Sequence, residues 1–129
     1  MPARTILLVD DEPDILEALG ELLKLEIEGS EIQLAKDGPT GLEMIAAGKP
    51  DLIVSDFRMP GMNGVEFLSQ VKDRFGTIPA IMLTAFPDRQ LAVDAARRGV
   101  IRRFYTKPPD LDLVLSGIRE ILEPGEMTS

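Results

Sequence analysis

The sequence predicts an α/β fold, a doubly wound five-stranded parallel sheet flanked by five helices. Three observations predict it. Short apolar runs alternate with stretches whose apolar residues recur at helical spacing. No hairpin signal joins one run to the next, so the strands must be connected through helices and run parallel. Polar, chemically able residues stand directly after four of the five runs, where open parallel sheets place their ligands.

The elements follow in order. "TILLV" (5–9) reads as a fully buried strand, and Pro13 suits the first turn of a helix carrying Ile15, Leu16, Leu19, Leu22, Leu23 and Ile27. "EIQLA" (31–35) is a second strand, followed by the turn signal "KDG". A short helix with Leu42, Ile45 and Ala46 ends near Gly48 and Pro50. "DLIVS" (51–55) is the third strand, and Asn63 looks like the cap of a helix with Phe67, Leu68, Val71 and Phe75 on one face. "AIML" (80–83) is the fourth strand. An alanine-rich helix spans about 88–98 and stops at Gly99. "RRFYT" (102–106) is the fifth strand. The last helix presents Leu111, Val114, Leu115, Ile118, Ile121 and Leu122. A strand order of 2-1-3-4-5, the flavodoxin-like arrangement, would put the order reversal between strands one and three. The whole chain, 1–129, reads as one domain with its core at about 4–122 and a short tail at 123–129.

Composition narrows the chemistry. The formal net charge of −8 argues against unspecific binding to nucleic acid or to an anionic membrane. No apolar run reaches the roughly 20 residues of a membrane span, and "MPARTILLVDDEPD" is not a signal peptide, so the cytoplasm is the expected compartment. With no cysteine there is no thiolate nucleophile and no zinc–thiolate site; with no histidine there is no imidazole base or ligand. Chemistry must run on carboxylates, hydroxyls, amines and backbone groups, with or without a hard metal ion.

"LIVSDFRMPGMNG" (52–64) carries an apolar strand straight to a carboxylate, Asp56. Such a group is costly in a protein interior unless a partner stabilises its charge. Past the other strand ends come Asp10 and Asp11, Thr84, and Lys107 before Pro108. Three carboxylates in one cleft repel, and oxygen ligands in a hydrated cleft suit Mg²⁺. Asp56 is then a candidate nucleophile toward phosphorus, with Thr84 and Lys107 holding phosphoryl oxygens. Each of these residues alone has a bland reading as a cap, a turn hydroxyl or a surface lysine. Their joint placement at the correct strand ends favours function.

The elements "LLVDDEPDIL", "DLIVSDFRMPGMNGVEFL", "PAIMLTA" and "RFYTKP" together resemble the receiver domain of two-component response regulators, over about residues 4–122. The resemblance implies a signalling domain, not an enzyme, though one that assists its own phosphorylation and dephosphorylation. It implies that Asp56 is the phosphoacceptor. Mg²⁺ would be held by Asp11, Asp56 and the backbone carbonyl of Arg58, with Asp10 acting mainly through a metal-bound water. Thr84 and Lys107 would contact the phosphoryl group, and Phe104 occupies the position of the switch aromatic. Arg58 and Phe86 fall where the family tunes phosphoryl lifetime. The donor would be a histidine kinase or a histidine phosphotransfer protein, meeting apolar positions near Ile15 on the first helix. The output face would comprise the fourth helix, fifth strand and fifth helix, where Arg97, Arg98, Arg102 and Arg103 cluster and a homodimer could form.

Some residues depart from that pattern. Tyr105 stands where many relatives carry an aliphatic residue, as core or as a second, competing aromatic. Pro109 stands where an aromatic is common. "GVIRRFYTKP" resembles a subgroup whose receivers often precede enzymatic or kinase outputs. Either the domain works alone through partners, or an output domain belongs after it. Competing readings are a flavodoxin-like flavin carrier, a haloacid-dehalogenase-type phosphatase and a non-phosphorylated pseudo-receiver. The first needs a hydroxyl- and glycine-rich loop where "DDEPD" stands; the second needs an acid where Arg58 stands. The third usually lacks an acid or the lysine, and all are present here.

Overall fold

The computed structural model describes residues 4–123, and of Phe86 only the backbone. The elements are β1 (Arg4–Val9), α1 (Pro13–Glu26), β2 (Ser30–Ala35), α2 (Gly38–Ala47), β3 (Leu52–Asp56), α3 (Gly64–Phe75), β4 (Ala80–Thr84), α4 (Arg89–Arg97), β5 (Arg103–Thr106) and α5 (Leu111–Leu122). A single 3₁₀ turn, Phe86–Asp88, leads into α4. All strand pairs are parallel, in the order β2-β1-β3-β4-β5. The predicted tail at 123–129 lies, but for Glu123, outside the described residues.

Helices cover both faces of the sheet, so the central strands are apolar at consecutive positions rather than at alternate ones. In β1, Leu7 and Val9 join one core cluster with Leu42 of α2, Phe67 and Val71 of α3, and Ala92 and Ala95 of α4. Ile6 and Leu8 point the other way, onto Leu16 and Leu23 of α1 and Val114, Leu115 and Ile118 of α5. The two edge strands depart from this: β2 is half-buried or exposed at every position but Ala35, and β5 is half-buried throughout. Each lacks a neighbouring strand on its outer side.

Local chemistry accounts for the ends of the helices. Asn63 and Glu66 form a reciprocal capping box at the start of α3, as the sequence suggested. Gly99, at φ +75°, takes the left-handed conformation that ends α4. The predicted third strand runs one residue further than expected, through Asp56, because the ladder continues: Phe57 N–H donates to the Leu83 carbonyl at 2.9 Å. The fourth helix is shorter at its start, since 86–88 winds as the 3₁₀ turn.

Candidate functional site

The carboxyl ends of β1, β3, β4 and β5 converge on one cleft at the reversal of strand order. Asp10 and Asp11 follow β1, Asp56 ends β3, Thr84 ends β4, and Lys107 follows β5, its N–H donating to the Thr84 carbonyl at 2.8 Å. One carboxylate oxygen from each of Asp10, Asp11 and Asp56 lies within 4.8 Å of the others. Asp10 and Asp56 are buried and Asp11 is exposed.

None of these acids is spent on capping a helix. Asp10 accepts from the Glu12 N–H at 2.9 Å, which shapes the loop after β1, and α1 begins at Glu12 without a side-chain cap. Asp56 meets the ammonium of Lys107, with Nζ to Oδ1 at 2.5 Å. Burial pushes the Asp10 carboxyl up from its ordinary value; the Glu12 N–H opposes that, and the charge of Asp56 adds to it. One lysine among three carboxylates leaves surplus negative charge. The oxygen-only donor set therefore fits a hard divalent cation.

The Thr84 side chain is fully buried, and its Oγ1 lies 3.3 Å from the Ala85 carbonyl. Phe104 and Tyr105 project to opposite sides of β5. Phe104 is half-buried against the α3–α4 side, with the Arg89 guanidinium 5.9 Å from its ring centroid. Tyr105 packs on the α1–α5 side, its hydroxyl against Gly117. That settles the choice left by the sequence: Tyr105 belongs to the other core and does not share the space of Phe104. Of the four clustered arginines, Arg103 is committed to Glu120 of α5. Pro109 does not disturb the last helix, which begins two residues on with Asp110 accepting from the Asp112 and Leu113 N–H groups. The Phe86 side chain, read from sequence as tuning lifetime, lies outside the described residues.

Two site-shaping residues escaped sequence reasoning. Gly64 opens α3 so close to β3 that a Cβ there would collide with the Asp56 carbonyl oxygen and stand 3.1 Å from Phe57 Cα. Its N–H donates to the Phe57 carbonyl at 2.7 Å, closing the loop after Asp56. The "NG" pair was its signal. The second is Asp88, taken only as the start of a helix. Its carboxylate receives Arg58 Nε at 2.6 Å and Nη2 at 3.0 Å. The guanidinium holds Asp88 below the usual carboxylate range. No local signal announces a pair separated by thirty residues.

Beside the cleft, an apolar groove of about 670 Å³ runs between α1 and α5, lined by Ile15, Leu19, Leu22, Pro108, Leu111 and Val114 among others. Lys107 stands on its wall. Among the described residues no helix is long and apolar enough to cross a membrane.

Residues 6–119 match the family model of the response regulator receiver domain. The transcriptional regulatory protein GlrR of Escherichia coli is 38% identical over 118 residues, covering 92% of this chain and 26% of that protein. The chain thus spans about a quarter of the length of the curated relatives it matches. Among solved structures, adenylate cyclase from Rhodopirellula baltica superposes with a TM-score of 0.87 at 30% identity, over 94% of this chain and 88% of that one. The signal receiver domain of an HD domain-containing protein from Pseudomonas fluorescens Pf-5 gives 0.85 at 30% identity, over 98% and 92%.

Proposed function

Because this chain belongs to the response regulator receiver domain family of two-component signalling, we propose that it accepts a phosphoryl group on Asp56 from a phosphohistidine donor. The observation that carries this reading is the meeting of Asp10, Asp11 and Asp56 in one cleft with Lys107 on Asp56 and Thr84 at the adjacent strand end. An Asp56 carboxylate oxygen attacks phosphorus, the P–N bond breaks, and its electron pair returns to the donor's imidazole. Lys107 turns from the carboxylate to the incoming phosphoryl oxygens, and the Thr84 hydroxyl donates to another.

Asp10, Asp11, Asp56 and the Arg58 backbone carbonyl are the groups that would hold Mg²⁺, which when bound offsets the charge of carboxylates and phosphoryl alike. Asp10 serves from further out, one of its oxygens being engaged by the Glu12 N–H. Arg58 and Phe86 hold the two sequence positions that tune phosphoryl lifetime in the family, and by that resemblance set how long the phosphoryl group lasts.

The α1–α5 groove is where an apolar helix of a histidine kinase or phosphotransfer protein docks, since it is apolar along α1 and ends at Lys107. The output leaves through α4, β5 and α5, by Thr84 moving inward and the Phe104 ring following. That face then changes its contacts with a second copy or with an output domain.

The test is mass spectrometry after incubation with acetyl phosphate and Mg²⁺. The wild type gains the mass of one phosphoryl group and Asp56→Ala gains none. An adduct that persists in Asp56→Ala overturns the assignment.

A further inference from the structure

Five polar residues stand at the N-caps of the five helices, and two of them, Glu12 and Asp88, make no side-chain cap; of these only Asp88 departs from extended backbone. Asp37, Asn63 and Asp110 have extended backbones and side chains that accept from first-turn amides of α2, α3 and α5. Asp88, the N-cap of α4, sits instead at φ −97°, ψ 5°, within the 3₁₀ turn, and its side chain makes no cap hydrogen bond. Both its oxygens are taken by Arg58, two residues beyond Asp56. The Asp88 side chain is 9% exposed and that of Arg58 68%. The carboxylate is therefore enclosed, while the arginine reaches it from a solvated arm.

The two uses of Asp88 exclude one another. A bidentate pair with Arg58 engages both carboxylate oxygens in one plane. Capping would turn an oxygen back onto the Gln90 or Leu91 N–H and bring the backbone to extended values, unwinding the 3₁₀ turn. The next residue, Arg89, already stands over the Phe104 ring. Whatever moves the start of α4 therefore moves a group in contact with that ring.

We propose that the Arg58–Asp88 pair is a latch on α4: with Asp56 unmodified Arg58 keeps Asp88 from capping, and with Asp56 phosphorylated Arg58 leaves and Asp88 caps the helix. This rests on the reading of Asp56 as phosphoacceptor. The driving force is competition for one guanidinium. A phosphoryl group adds strong acceptor oxygens and close to two negative charges, a better bidentate partner than a single carboxylate. The latch is a route from the site to α4 separate from Thr84, and it starts from the loop after β3.

Amide hydrogen exchange at Gln90 and Leu91 tests it. Without any phosphoryl mimic, Arg58→Ala frees Asp88, and exchange at these amides slows roughly fivefold, the scale of one N-cap. Beryllofluoride with Mg²⁺ slows the same amides in the wild type. Adding Asp88→Ala removes the slowing in both cases. Unchanged exchange in Arg58→Ala, or equal slowing in Arg58→Ala with Asp88→Ala, overturns the latch. The fluorine spectrum of the wild type separates the two readings. No bound beryllofluoride there sinks Asp56 as phosphoacceptor, whereas bound beryllofluoride with unprotected Gln90 and Leu91 sinks the latch alone.

Discussion

Lys107 Nζ lies 2.5 Å from Asp56 Oδ1, so the charge that ends the buried strand β3 is met by a cation delivered from the far edge of the sheet. The pair joins strands separated by β4, and its lysine is partly open to solvent while its aspartate is not. Its contribution to stability lies between those of an exposed and a buried pair.

Lys107→Ala should therefore cost about 1–3 kcal/mol in metal-free buffer, more than a surface pair and less than a fully buried one. Urea unfolding measures it. Asp56→Asn should recover much of the loss in the double variant, because the orphaned charge is then gone. Strictly additive losses would mean that the two groups are not coupled.

Divalent affinity should distinguish the two acids after β1. Asp11→Ala is expected to weaken Mg²⁺ binding at least tenfold, and Asp10→Ala less, since Asp10 already serves the Glu12 N–H. Titration calorimetry reads both. Wild-type affinity in Asp11→Ala would remove the metal site as assigned.

The raised pKa of Asp10 gives a signed pH dependence. A carboxyl whose folded pKa is raised contributes stability that is fully present below its ordinary value of 3.8 and lost as pH rises through the folded value. Metal-free wild type should thus be less stable than Asp10→Asn near about pH 7, with the gap closing as pH falls toward that ordinary value. The asparagine oxygen keeps the Glu12 contact, so the comparison isolates the charge. Thermal melts across that range would refute the account if the gap were constant.

Gly117 and Tyr105 should show a reversal of sign. Alanine normally favours a helix over glycine by about 1 kcal/mol. Here its Cβ would strike the Tyr105 hydroxyl, so Gly117→Ala should instead cost about 1–3 kcal/mol. In a Tyr105→Leu background the same change should become neutral or stabilising. Denaturant midpoints of the four proteins decide it.

The output face should respond to beryllofluoride in its amide spectra over residues 89–106 and in self-association followed by sedimentation. Because the Phe104 ring is already half-buried, completing its burial gains only about 1–1.5 kcal/mol, or roughly a tenfold shift in a two-state equilibrium. Phe104→Ala and Thr84→Ala should weaken the response. Amide spectra that stay unchanged while beryllofluoride occupies Asp56 would exclude this switch.

The sequence by itself determined the five strands, the five helices, their parallel direction and the identity of the acids at the strand ends. Those features rest on local chemistry: apolar periodicity, the Asn63 cap, the Gly99 stop and the interior cost of an unpaired aspartate. Even the parallel direction is local in origin, because a helical crossover joins strands that run the same way. Tertiary structure alone decided what each charged group meets. Lys107 was expected at the site, but its direct pairing with Asp56 depends on how far β5 stands from β3. Arg103 was read as part of an open basic cluster, and the fold turns it onto Glu120. Asp88 was read as the start of a helix, and the fold gives it to Arg58. A long side chain finds its partner among residues brought close by packing, and charge on a surface carries no periodicity from which that partner could be read.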